Sequence, residues 1–97
     1  MYAIVRKNTF DSSKLAEGQR TVDEFNAVHA KQVGYRGSMT VDIGDGHWIV
    51  VNLWDTRESA TAALPLMIPV VQRLLEPLMS EPSQLLGTGP VVMIDIR

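Results

Sequence analysis

The stretch from Tyr35 to Trp54 limits what this chain can fold into more than any other part of it. Tyr35, Gly37, Met39, Val41 and Ile43 alternate with Arg36, Ser38, Thr40 and Asp42, the period of two required of a strand whose two faces differ. Gly44-Asp45-Gly46 then offers residues that tolerate the positive φ angles of a tight turn. His47 to Trp54 follows as a second, more apolar strand. The segment predicts an antiparallel hairpin, and the remaining elements must be built around it.

On the N-terminal side, Tyr2 to Asn8 is β-branched and alternating, and Thr9-Phe10-Asp11-Ser12-Ser13 breaks it with candidate helix caps at Asp11, Ser12 or Ser13. From Lys14 to about Lys31, Leu15, Ala16, Val22, Phe25, Ala27, Val28 and Ala30 form an imperfect helical stripe, weakened by Gly18. After the hairpin, Asp55 or Thr56 can cap a second helix, with Glu58 in the turn where the helix dipole favours negative charge. Leu64, Met67, Ile68, Val71, Leu74, Leu75 and Leu78 make its apolar face. Pro65 and Pro69 predict a division into a short helix and a longer one, and Pro77 a kink or frayed end. Glu81-Pro82-Ser83 is expected to end the helix, Gly87-Thr88-Gly89-Pro90 to turn the chain, and Val91 to Arg97 to form the last strand. The order β-α-β-β-α-β predicts a ferredoxin-like α+β fold, a four-stranded antiparallel sheet with both helices on one face. Residues 1–97 are expected to form a single domain.

Composition removes several classes of function. Without cysteine, disulfides and thiolate metal sites are excluded. Nine Lys and Arg against eleven Asp and Glu give a net charge of −2 with no basic stripe, so neither nucleic acid nor a membrane is expected as partner. No apolar run is long enough to span a bilayer and no secretory signal precedes the first strand, so a cytoplasmic address is the default. His29 and His47 have no companions at metal-ligand spacing, and no metal is expected. A Gly-rich phosphate loop, a Ser-His-Asp set and a carboxylate pair are all missing, since Gly87-Thr88-Gly89 precedes a strand and not a helix.

The apolar residues also predict self-association. Trp48 to Trp54 and Val91 to Ile96 are apolar on both faces, which signals burial on two sides. Two helices can cover only one side. A second copy of the chain is the expected cover for the other, giving a homodimer or a higher assembly.

The junction Val50-Val51-Asn52-Leu53-Trp54-Asp55-Thr56-Arg57-Glu58-Ser59-Ala60 resembles the antibiotic biosynthesis monooxygenase-like proteins of the dimeric α/β-barrel superfamily. Many of them carry an apolar strand, a polar residue, a Trp and then an acidic, alanine-rich helix start at this point. Element order and length extend the resemblance over nearly the whole chain. It departs from the pattern at Asn52, where many relatives have Glu, and at Ala63, where they have His. In haem-degrading relatives a His on that helix ligates iron, which neither Ala63 nor Leu64 can do, although Asn8 and Trp54 could mimic other pocket residues. Haem breakdown is therefore disfavoured. The resemblance implies a dimeric barrel and cofactor-free oxygenation of a flat phenol, quinol or anthrone. The superfamily also contains isomerases, cyclases and members with no known activity.

Asn52, among apolar neighbours, could donate to a substrate carbonyl or a developing oxyanion. Trp54 can wall a pocket and donate from its indole nitrogen. Arg6 or Tyr35 could stabilise a phenolate or enolate, and these four are the candidate catalytic residues. Asn8, which shares a strand face with Arg6, and His29, one turn beyond Phe25, are candidates to contact substrate. Met39, Met67, Val71 and Met93 would supply an adaptable apolar lining. A non-catalytic ligand-binding or assembly module of the same fold is the competing reading. The size of the space beside Asn52, and whether the protein itself satisfies that amide, separate the two.

Overall fold

A computed structural model describes residues 1–97. In chain order the elements are β1 (Tyr2–Phe10), α1 (Ser12–Glu17), α2 (Gln19–Ala30), β2 (Tyr35–Asp42), β3 (His47–Trp54), α3 (Arg57–Leu74), a 3-10 turn (Glu76–Leu78) and β4 (Met79–Pro90). The four strands form one antiparallel sheet in the order β2-β3-β1-β4. This is the ferredoxin-like arrangement, with the helices on one face of the sheet. The hairpin turns where the sequence places it: Asp45 has φ 57° and Gly46 φ 79°. Gly46 is held there by contact as well, because a Cβ would lie 2.3 Å from the Phe10 carbonyl oxygen.

Three boundaries differ from those expected. The segment read as one helix from Lys14 is two, broken at Gly18, whose φ of −97° and ψ of 14° close α1 and open α2. Leu78 packs so near that a Cβ at position 18 would come within 2.7 Å of it. Asp11 caps α1 by accepting from the Ser13 and Lys14 backbone amides. Its carboxyl is held below the usual range, chiefly by the Ser13 hydroxyl.

The expected break within α3 does not occur. Pro65 and Pro69 both lie inside one continuous helix, on its exposed side. Each forfeits a ladder hydrogen bond. The helix persists because Ala60, Ala63, Met67 and Leu74 are buried on the other side, and because a reciprocal cap between Thr56 and Ser59 fixes its start.

The last strand is displaced. Met79–Pro90, read as a helix end followed by a turn, is β4, and Val91–Arg97 has no regular structure. Turn-forming residues are tolerated because β4 lies at the edge of the sheet, where a proline need not supply a ladder donor. Gly87 and Gly89 sit opposite Val5 and Ala3 of β1, and register shifts interrupt the pairing nearer the start of β4. One backbone bond, from the Val91 amide to the Met1 carbonyl at 2.9 Å, carries the ladder past Pro90. Val92, Met93 and Ile96 are then exposed.

The outer face therefore takes its apolar character from β1, β2 and β3. Val5 pairs with Val51, Met39 with Val51 and Val41 with Ile49, so these side chains share the face away from the helices. Met39 and Val41 are exposed there. No helix of the chain is long and apolar enough to cross a membrane.

Candidate functional site

A cavity of about 350 Å³ lies between the sheet and helices α2 and α3, within the range of about 300–1,000 Å³ usual for small-molecule sites. The period-two alternation of the strands chooses its floor. Ile4, Arg6, Asn8 and Phe10 of β1 and Trp48, Val50, Asn52 and Trp54 of β3 all face it. Pairing carries the same face onto β2, where Ser38 lies opposite Asn52 and Thr40 opposite Val50. The polar side chains of β2 thus look toward the cavity, and its apolar ones look outward. The roof is apolar. Small Ala60 and Ala63 let the start of α3 pack on Trp54, and Met67, Ile68 and Val71 continue the wall beyond them.

One end of the cavity is an aromatic cluster. His29 of α2 lies 5.4 Å from Phe25, 4.4 Å from Tyr35 and 5.6 Å from Trp54 between ring centroids. Burial pushes its imidazole down from 6.5 to about 4, because an apolar surrounding penalises the charged form. It is a neutral ring at physiological pH. Trp54 is 3% exposed, and its indole N–H is buried with no hydrogen-bond acceptor. An unused buried donor costs about 1–3 kcal/mol.

The opposite end is polar. Ser83 of β4 donates its hydroxyl to Asn8 Oδ1 at 2.6 Å. A register shift between Lys7 and Thr9 accompanies that contact, and such irregularities re-aim side chains beside sites. The other side-chain bonds made in half-buried surroundings are Thr9 to His47 and Gln32 to the Val28 carbonyl. Neither Asn52 nor Arg6 takes part in any of them. Asn52 is half-buried beside the cavity with its amide uncommitted.

Of the residues singled out from the sequence, Arg6, Asn8, His29, Asn52, Trp54, Met67 and Val71 meet around this space. Three stand apart from it. Tyr35 lies behind the wall, its ring tilted against His29 and edge-on to Trp54. Met39 has the opposite parity on β2 and is 61% exposed. Met93 belongs to the irregular C-terminal segment and is 79% exposed. The sequence reading missed Phe25, Ser38, Thr40, Trp48 and Ser83. The hairpin register was the available signal for Ser38 and Thr40: once Asn52 faces inward, so do both. Trp48 lies 4.8 Å from Phe10 between ring centroids, the rings tilted by 57°, and lines the cavity.

No family model matches the chain, and no curated protein matches it. Its three-dimensional shape is shared more widely. The crystal structure of SnoaB, a cofactor-independent oxygenase from Streptomyces nogalater, aligns over 96% of this chain and 94% of its own, with a TM-score of 0.73 and 18% identity. A structure described as an antibiotic biosynthesis monooxygenase aligns over 96% and 100%, with a TM-score of 0.72 and 11% identity. The fold is that of the antibiotic biosynthesis monooxygenases. The same fold is seen in NE2512, a protein of unknown function from Nitrosomonas europaea, which aligns over 99% of this chain and 93% of its own at a TM-score of 0.76 and 10% identity.

Proposed function

We propose that the protein is a small monooxygenase that needs no metal or flavin and oxidises a flat aromatic substrate of the quinol, phenol or anthrone type. The observation that carries this reading is the cavity beside Asn52 together with the uncommitted amide on its floor. A module whose apolar surfaces served assembly alone would be expected to fill that space and satisfy that amide. The monooxygenase-type fold, shared with a cofactor-independent oxygenase, supports the same choice.

In this proposal the aromatic rings lie between the apolar wall of α3 and the sheet, which shields them from water. Asn52 and Trp54 donate to the substrate oxygen and stabilise its deprotonated form, and Arg6 contributes positive potential to the cavity. Tyr35 holds His29 and Trp54 in place from behind. The electron-rich anion reduces oxygen directly. For an anthrone, the ring methylene takes one atom of O2 to become a carbonyl, and the second atom leaves as water with the two methylene hydrogens. The protein supplies orientation and electrostatics.

A homodimer completes the proposal. Sheet-to-sheet pairing would cover Val5, Met39, Val41, Ile49 and Val51 on the outer face and leave the cavity, on the helix side, intact. A cytoplasmic location fits a chain without cysteine.

Oxygen uptake by the metal-free protein, measured across a panel of anthrones and quinols, is the test. The expected result is uptake above the uncatalysed rate for at least one member and its loss in Asn52→Leu. Uptake at background across the panel overturns the enzymatic reading, and tight binding without uptake would leave a ligand-binding module or a non-oxidative isomerase or cyclase.

A further inference from the structure

Arg6 is the only lysine or arginine on the cavity wall. It lies on β1, an interior strand between β3 and β4, and is half-buried. The ion pairs of the chain are Arg36–Asp55, Arg73–Glu24 and Arg97–Asp95, and Arg6 belongs to none of them. Glu76, the one acidic residue on the wall, sits on the exposed 3-10 turn and makes no ion pair with it. A guanidinium stays charged at any physiological pH, and withdrawing it from water without a partner is unfavourable.

The two ordinary explanations for a strand arginine fail here. A solvated edge is excluded because β1 has neighbours on both sides. A salt bridge across sheet-to-sheet packing is excluded because Arg6 shares the helix-side face of Ile4 and Asn8. What remains is a cation held toward the cavity with nothing in the chain to neutralise it.

Its immediate neighbour has the matching chemistry. Asn8, two residues along the same face, has its carbonyl oxygen engaged by Ser83, which leaves the amide NH2 free to donate. Arg6 pairs with Val50 across β1 and β3, four residues from Trp54, or about 13 Å along a strand. The Arg6–Asn8 end and the Trp54–His29 end of the cavity therefore receive different parts of one ligand.

We propose that the ligand is an aromatic monocarboxylic acid, whose carboxylate is gripped by Arg6 and Asn8 while its ring oxygen is presented to Asn52 and Trp54. This rests on the reading of the cavity as a site for a flat aromatic molecule, and it names the charge that molecule carries. One guanidinium with no second cation matches a single negative charge, and its planar fork matches a carboxylate held by two parallel bonds. Arg6 is then the residue that selects acids from neutral rings of the same shape.

The test uses anthraquinone-2-carboxylate and its neutral carboxamide, whose binding to the full-length protein is followed by titration calorimetry without turnover. The wild type is expected to bind the carboxylate at least ten-fold more tightly than the carboxamide. Arg6→Gln is expected to bring the two to equal affinity, and Arg6→Lys to keep part of the preference. A thermal melt within a few degrees of wild type shows that the Gln variant is folded; should it unfold, the Lys variant and the salt dependence of the wild-type preference carry the test. Equal wild-type affinities, or a preference that survives Arg6→Gln, overturn the proposal. Binding of neither probe overturns it together with the cavity reading. A ten-fold acid preference without any oxygen uptake would uphold it and sink the oxygenase reading alone.

Discussion

At Trp54 packing and chemistry can be separated by choice of substitution. Trp54→Ala empties the centre of the buried cluster with Ala60, Ala63 and Met67 and should cost about 3–5 kcal/mol of stability. Trp54→Phe keeps most of the contact and deletes a donor that has no acceptor. The lost volume, about 1 kcal/mol, is offset by relief of the unsatisfied N–H, about 1–3 kcal/mol. Its melting temperature should stay near that of wild type while turnover falls at least ten-fold; unchanged turnover would show that the indole only packs. Asn52→Leu should leave stability within about 1 kcal/mol of wild type in a denaturant melt, since the half-buried amide has no bond within the protein to lose. His29 gives a pH signature. Its folded value of about 4 lies below the ordinary 6.5, so between these values the unfolded chain binds a proton that the folded chain refuses. Stability should be level in this respect above pH 7 and decline as pH falls from about 6.5 to 4, and a His29→Phe variant should lose that part of the decline. These residue types were legible in the sequence as candidates. What placed them was parity: Met39 shares a strand with Ser38 and Thr40 yet faces the other way.

Among the elements, the hairpin and the helix stripes were legible because each follows from a local period. The misplaced boundaries came from residues whose local preference lost to tertiary context. Pro65 and Pro69 break an isolated helix, but α3 keeps its course along its buried side. Pro65→Ala should therefore stabilise the protein by about 1 kcal/mol or more, since it restores a donor at an exposed position. Gly87 to Pro90 reads as a turn, yet lies flat against β1 as an edge strand. Gly18 reads as a weak point in one helix and proves to be a joint between two. Gly18→Ala gains helix propensity but drives a methyl toward Leu78 and the Lys14 carbonyl. The clash should prevail, lowering stability by about 1–3 kcal/mol in a thermal melt.

For the molecule as a whole, the sheet has one face toward a cavity with polar groups on its floor and the other an uncovered apolar surface. Under the proposed sheet-to-sheet pairing, Val51→Asp on that outer face should turn a dimer into a monomer in light scattering and leave the cavity residues in place; a variant of unchanged mass would argue against that pairing. On the helix side, the groups that would act on a ligand, Arg6, Asn8, Asn52 and Trp54, belong to β1 and β3, the two interior strands. The surface that would measure its shape belongs largely to α3. Chemistry and fit are therefore written on separate stretches of chain. Trimming Met67, Ile68 or Val71 could admit a bulkier ring system without moving any of the strand residues that handle its charge, so new substrates can be reached through one helix while the reaction itself is inherited unchanged.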